Sequence, residues 1–316
     1  MNELWRNGKI RLIVAGPCNL ACFYCHNEGQ DKHSTMMSLE LVERVRALAA
    51  SSVSPLREIT ISGGEPMLHP AIEEIINRLS SLGAPVTMVS NATLLTPSRI
   101  GDLRTAGLAK IRIGLDSLRL GKPRPSPGYL TDVPSVPGMI DAALAAGLPV
   151  ELNTVLTKFN SNEIPELARF AMARHLSIKF FEHVEVDNYG TDTTSGTMCA
   201  KPHVSFAAFA HALDTAGIGA EFADSADLGS ANATAVIGDS AIRYCRYLCP
   251  QKLCWTTGTR IDPLGYVYSC MVNRGLDRLP ALPRNDATAI ARAGERPCGD
   301  TSTSESGVPA ARRTAC

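Results

Sequence analysis

The chain has 316 residues, with 31 basic against 31 acidic side chains, 45% hydrophobic residues and 20% charged residues. That length is about twice a typical domain, which argues against a short binding module, and the balanced charge supplies no global field for nucleic acid or an anionic membrane. No apolar run nears the roughly 20 residues of a membrane span, and the opening Met1-Asn2-Glu3-Leu4-Trp5-Arg6 does not read as a secretory signal, so a soluble cytoplasmic protein is expected.

Six β-branched or apolar runs recur in chain order: Ile10 to Ala15, Glu58 to Ser62, Val86 to Ser90, Lys110 to Leu115, Val150 to Leu156 and Ile178 to Val184. Each reads as a buried strand. Between them lie helical stripes: Leu41, Val45 and Leu48 behind the N-cap candidate Ser38; Ile72, Ile75, Ile76 and Leu79; and Ile164, Leu167, Ala168 and Ala171 behind the N-cap candidate Asn162. Gly83, Gly107 and Gly147 each follow a helical run and precede a strand, where a helix end needs a left-handed residue. Such alternation predicts a parallel sheet with crossover helices, either an open doubly wound sheet or a partial TIM-like barrel, with chemistry at the strands' C-terminal ends. The proline-rich segment Gly121 to Gly138 reads as a surface loop rather than a lid. After the sixth strand the pattern weakens, with one helix expected near Phe206 to Leu213 and a second unit from about Arg243. Beyond Leu279 the aliphatic periodicity fades, and a disordered tail is expected.

Cysteine supplies the chemistry. Ten are present, at 18, 22 and 25, at 199, at 245, 249, 254 and 270, and at 298 and 316. In a reducing compartment, clustered thiols hold metal or do chemistry more often than they form disulfides. Cys18, Cys22 and Cys25 follow the first strand at i, i+4 and i+7. Three thiolates on one loop can wrap a soft-metal centre while leaving a coordination position open; a structural zinc loop, or three cysteines that are merely close, are the bland alternatives. The later strands end in Ser62-Gly63-Gly64-Glu65-Pro66, Ser90-Asn91-Ala92-Thr93 and Leu115-Asp116-Ser117, and the fifth contains Leu152-Asn153-Thr154. Glycines let backbone approach a ligand closely, and Glu65 offers a carboxylate to a positive amine.

The cysteine spacing, with the aromatic pair Phe23-Tyr24 before its last member and the Gly-Gly-Glu segment that follows, resembles the radical S-adenosylmethionine (SAM) superfamily. The motifs from Gly-Gly-Glu-Pro-Met-Leu through Ser-Asn-Ala-Thr-Leu-Leu, Gly-Leu-Asp-Ser-Leu and Phe-Phe-Glu-His-Val look in order like those of its GTP 3',8-cyclase branch in molybdenum cofactor biosynthesis. The resemblance implies a 4Fe-4S cluster on Cys18, Cys22 and Cys25, and SAM contacts from Tyr24, Gly63, Gly64, Glu65, Ser90, Asn91, Ser117 and Asn153. It further implies a second, auxiliary 4Fe-4S cluster on Cys249, Cys254 and Cys270, with Cys245 a candidate fourth ligand. A zinc ribbon competes for that second group.

The chain departs from the cyclase pattern in its auxiliary spacing, in having Arg260 as the one matching arginine, in His69 where the branch carries an arginine, and in ending Thr314-Ala315-Cys316 without a Gly-Gly. Losing basic groups weakens a triphosphate site, which disfavours GTP itself. The expected architecture is a partial (β/α)6 TIM-like barrel over 1–190, a connecting segment 191–242, a small auxiliary-cluster domain 243–278 and a tail 279–316. The expected activity is generation of a 5'-deoxyadenosyl radical that abstracts hydrogen from a small molecule, such as a nucleotide or nucleoside. Lys158, His183 and Arg260 are the expected substrate contacts, and flavodoxin or ferredoxin the kind of electron donor. The alternatives are a maturase of ribosomal peptides and a non-enzymatic zinc-binding protein. RNA modification lacks the basic, aromatic tract it would want.

Overall fold

The structure is a computed structural model that describes residues 8–22, 24–25, 34–52, 55–119, 135–183, 204–223, 232–246 and 258–268. Six strands, β1 (Lys9–Ala15), β2 (Glu58–Gly63), β3 (Val86–Ser90), β4 (Leu108–Gly114), β5 (Val150–Leu156) and β6 (Ser177–Glu182), lie side by side in chain order and pair in parallel. Helices α1 (Leu39–Ala50), α2 (Ile72–Ser80), α3 (Pro97–Thr105), α4 (Val136–Ala145) and α5 (Ile164–Met172) make the crossovers. This is the expected (β/α)6 arrangement of a partial TIM-like barrel. Among the described residues, no helix is long and apolar enough to cross a membrane.

Local chemistry accounts for the element ends. The Ser38 hydroxyl accepts from the Leu41 N–H and starts α1, as its spacing predicts. Thr96 and Ser135 cap α3 and α4 in the same way, each helix carrying proline in its first turn. Gly83, Gly107 and Gly147 have φ of 75°, 101° and 70°, the left-handed turn that ends each preceding helix. Ile72, Ile75, Ile76 and Leu79 are all fully buried, so the stripe of α2 packs on the sheet. Each such side chain contributes roughly 1.5–3 kcal/mol.

Three expectations need correction. Asn162 does not cap α5: it lies within a 3-10 turn, Ser161–Glu163, and Glu163 occupies the cap position without its side chain capping the helix. The last residues of the proline-rich segment are helical, because Ser135 caps them into α4; 121–134 lie outside the described residues. The sixth strand ends at Glu182, and Val184 lies outside the described residues.

The sheet also extends past six strands. After α6 (Phe206–Thr215) the chain forms β7 (Asn232–Ile237) and β8 (Ser240–Cys245), an antiparallel hairpin whose second strand pairs in parallel with β6. Strand β8 therefore crosses the expected boundary at 242/243. At the opposite edge β9 (Thr259–Ile261) pairs in parallel with β1, and β10 (Val267–Tyr268) folds back on it. The turn between them, Asp262-Pro263-Leu264-Gly265, closes a hairpin. Asp262 accepts from the Leu264 and Tyr266 N–H groups, each at 2.9 Å, and Gly265 has a φ of 85°. The 279–316 tail lies outside the described residues.

Strand alternation sorts the sheet into two faces. Aliphatic positions such as Ile59, Ile61, Ile111, Ile113, Leu152 and Ile178 face the helices. The other face, the barrel lumen, is polar. In it Arg112 binds Glu58 at 2.6 Å and Glu151 at 2.7 Å, and Lys179 binds Glu151 at 2.8 Å. Burial alone would raise the Glu151 carboxyl, but hydrogen bonds and charge from Lys179 and Arg112 outweigh it and hold the group at about 2. Lys179 is shifted down, against what its partner would do, because burial and the like charges of Arg112 and Arg243 crowd it. The charged network occupies the lumen near the start of the strands, leaving their C-terminal ends to the site.

Candidate functional site

At the C-terminal rim the chain leaves β1 through Gly16 and returns at Thr35. The Gly16 N–H donates to the Thr35 carbonyl at 2.9 Å and the Met37 N–H to the Val14 carbonyl at 2.8 Å, which clamps the base of the loop. Within it the Cys25 N–H donates to the Cys22 carbonyl at 3.1 Å, a turn linking those two thiols. The Cys18 sulfur faces the Leu20 N–H at 3.4 Å and Asn91 Nδ2 at 3.8 Å. Its side chain reaches the surface, yet neighbouring protein atoms desolvate the thiol and push it up to about 11, with the Leu20 N–H opposing and Glu65 adding. Metal coordination must displace that proton. Among the described residues, no group of three or more His, Cys, Asp or Glu is arranged around a single metal ion.

The glycine pair serves this loop directly. A Cβ on Gly63, at φ 145°, would lie 2.3 Å from the Ala15 carbonyl oxygen, and one on Gly64 would lie 2.1 Å from that of Pro17. The bare backbones permit Gly64 N–H to Ala15 O at 2.8 Å and Glu65 N–H to Pro17 O at 3.0 Å. In the structure these bare backbones approach the end of β1 and the cysteine loop.

Glu65 is fully buried. Its carboxylate accepts from the Met67 N–H at 3.0 Å, the Ser90 hydroxyl at 2.8 Å and the Asn91 N–H at 2.7 Å, so it joins the ends of β2 and β3. Asn91 in turn donates to Asn19 Oδ1 at 2.9 Å, and Asn19 donates to the Thr93 hydroxyl at 2.8 Å. Asn19, next to Cys18, is thus tied to the end of β3. Ala92 sits at φ 63°, a conformation non-glycine residues rarely adopt, stabilised by its N–H donating to Ser90 Oγ at 3.0 Å.

Tyr24, between Cys22 and Cys25, donates its hydroxyl to Asp116 Oδ2 at the end of β4, and its ring stands edge-on to His183 after β6, with centroids 6.3 Å apart at 70°. Ser117 donates to buried Glu163 at 2.8 Å, bracing β4 against the start of α5. Among the described residues, Ser62 Oγ on β2 and Asn153 Oδ1 on β5 are buried on the lumen side without a hydrogen-bond partner. A buried polar atom left unpaired costs about 1–3 kcal/mol, and at a barrel mouth a ligand can satisfy it.

The structure thus brings Cys18, Cys22, Cys25, Tyr24, Gly63, Gly64, Glu65, Ser90 and Asn91 to one rim, with His183 beside Tyr24. Lys158 is exposed on the turn after β5, its Nζ 5.4 Å over the Phe159 ring. Arg260 is buried in β9, in register with Arg11. Cys245 ends β8 beside Phe181 of β6, and burial pushes its thiol up to about 11, with Lys179 and Arg243 opposing. Cys249, Cys254 and Cys270 lie outside the described residues. His69, standing where a basic group was expected, is a structural residue. Its Nδ1 accepts from the Ala71 N–H at 3.1 Å, which leaves Nε2–H to donate to the Met37 carbonyl at 2.9 Å. Sequence reading missed Asn19, Asp116 and Glu163. The first two stand inside motifs already singled out, but their roles depend on partners more than 70 positions away.

Comparison with known proteins returns the Radical SAM superfamily, whose family model matches residues 12–171. The GTP 3',8-cyclase of Pelotomaculum thermopropionicum is 32% identical over 182 residues, 55% of this chain and 54% of that protein. A probable GTP 3',8-cyclase from Methanothermobacter marburgensis is 27% identical over 296 residues, covering 89% of this chain and 90% of the relative. The first match thus spans about half the relative's length, the second most of it. The crystal structure of Streptococcus suis SuiB bound to precursor peptide SuiA superposes with a TM-score of 0.63 at 15% identity, covering 90% of this chain and 64% of that one, a likeness of fold.

Proposed function

This chain belongs to the radical SAM superfamily, and from that membership we propose an enzyme of the cyclase-like branch that acts on a small molecule of the nucleotide or nucleoside class. The observation that carries the reading is the single rim on which the three-thiol loop, the Glu65–Ser90–Asn91 junction and the unpaired Ser62 and Asn153 oxygens meet. The donor set suits a 4Fe-4S cluster, since three cysteines on one loop leave one iron open, and the unpaired lumen oxygens suit a polar cosubstrate below it. When bound, the reduced cluster and SAM supply a 5'-deoxyadenosyl radical able to abstract hydrogen from substrate.

The chain's own residues then have distinct tasks. Cys18, Cys22 and Cys25 hold the cluster, with Leu20 N–H and Asn91 directed at the Cys18 sulfur, where hydrogen bonds tune potential. Glu65 keeps the β2 and β3 ends in register with the loop, while Asn153 and Ser62 offer oxygen acceptors to the cosubstrate. Ser117, braced against Glu163, keeps the neighbouring turn in place. We assign His183 to the substrate side of Tyr24, and Lys158 and Arg260 to an anionic group on substrate. Cys249, Cys254, Cys270 and Cys245 are assigned to an auxiliary cluster within 243–278.

Anaerobic reconstitution, reduction and incubation with SAM and candidate nucleotides or nucleosides test the reading. Substrate-dependent 5'-deoxyadenosine is expected, and Cys22→Ala is expected to abolish it. Stoichiometric zinc without sulfide would sink the radical assignment. Product formed with candidate peptides alone would move the substrate to the maturase class.

A further inference from the structure

We propose that Asp116 is a positioning residue for SAM, acting through Tyr24; this rests on reading the cysteine loop as the SAM site. Tyr24 sits on a turn whose backbone is set by the Cys25–Cys22 hydrogen bond, but that bond leaves the direction of the phenol ring open. Asp116 supplies the missing constraint. Its Oδ2 accepts from the Tyr24 hydroxyl, across 92 positions of sequence, and its Oδ1 accepts from the Val155 N–H of β5 at 2.9 Å. The Asp116 backbone carbonyl is held in turn by Asn160 Nδ2 at 2.9 Å, and the same nitrogen lies 2.9 Å from the Val155 carbonyl. With a relative exposure of 6%, Asp116 is fixed to the joined ends of β4 and β5.

The two carboxylate oxygens therefore do separate jobs, one on the barrel frame and one on the loop. His183 packs against the edge of the same ring from the end of β6. A ring held from two strand ends before ligand arrives has already lost its rotamer freedom, so that cost does not fall on binding. An amide at 116 keeps these contacts only by reversing one: its oxygen still accepts from the Val155 N–H, but its NH2 must donate to the Tyr24 oxygen, a neutral bond in place of the charge-assisted one.

The test compares wild type, Asp116→Asn, Tyr24→Phe and the double variant, each reconstituted with iron and sulfide. Iron content, Tm, calorimetric SAM affinity and the SAM-induced change in the reduced cluster's electron paramagnetic resonance signal are measured. Each single variant is expected to keep its iron and to bind SAM about tenfold more weakly, the loss typical of partners just outside a metal site. The double variant is expected to be no weaker than either single. Should Asp116→Asn lose iron, Tyr24→Phe decides, since it deletes only the hydroxyl. Single variants that bind SAM like wild type, or losses that multiply in the double variant, would overturn the positioning role. A wild type that loads iron yet neither binds SAM nor changes its signal would overturn the reading of the loop as well.

Discussion

A methyl group on Gly64 would come within 2.1 Å of the Pro17 carbonyl, a backbone atom that cannot swing aside as a side chain can. Gly64→Ala is therefore expected to push the cysteine loop off the β2 end and to cost about 1–3 kcal/mol, read as a lower Tm together with reduced iron after reconstitution. Glu65 tests a different physical effect. Three donors converge on its buried carboxylate, and Glu65→Gln turns one acceptor into an NH2 group facing them. A loss of about 1–3 kcal/mol is expected. An unchanged Tm in Glu65→Gln would mean that the β2–β3 junction does not depend on that charge. Both residues stand in a motif legible in the sequence. What the motif does not reveal is that its glycines meet the loop and that its acid is engaged by protein donors.

Among the elements, the lumen strands differ from the aliphatic runs that announced them. The helix-facing positions of β2, β4, β5 and β6 are readable as strands because they are β-branched or aliphatic. Glu58, Arg112, Glu151 and Lys179 interrupt those runs at period two and meet only when the strands curve together. Glu151 has a folded value of about 2 against an ordinary 4.5, so its contribution is present above about pH 4.5 and fades as pH falls toward 2. Glu58 is shifted in the same direction: burial opposes ionisation but Arg112 outweighs it. Acid titration of Tm should show a decline in that window that Glu151→Gln flattens, with the variant itself less stable by on the order of 3 kcal/mol at neutral pH. At the sheet edge, a Cβ on Gly258 at φ 100° would lie 2.8 Å from the Lys9 carbonyl oxygen. Gly258→Ala is expected to loosen β9 from β1 and to increase amide exchange at Ile10 to Leu12.

For the whole molecule, two cysteine groups on one chain make an arithmetic prediction. Full reconstitution should yield about 8 iron and 8 sulfide per chain, and Cys22→Ala about half of each, if each group holds one cubane. Retention of the full content in Cys22→Ala would remove the first loop from the cluster's ligands. By itself the sequence determined the alternation of six strands and five crossover helices, the caps at Ser38 and the three glycine turns, and the placing of the thiol loop after β1. Those features rest on spacing within a few residues, which local backbone chemistry enforces. Only the tertiary structure decided that β8 and β9 extend the sheet on its two sides, that Glu65 and Asn91 face the cysteine loop, and that Asp116 holds Tyr24. Each of those contacts joins positions far apart in the chain, and their geometry exists only once the strands have packed and curved.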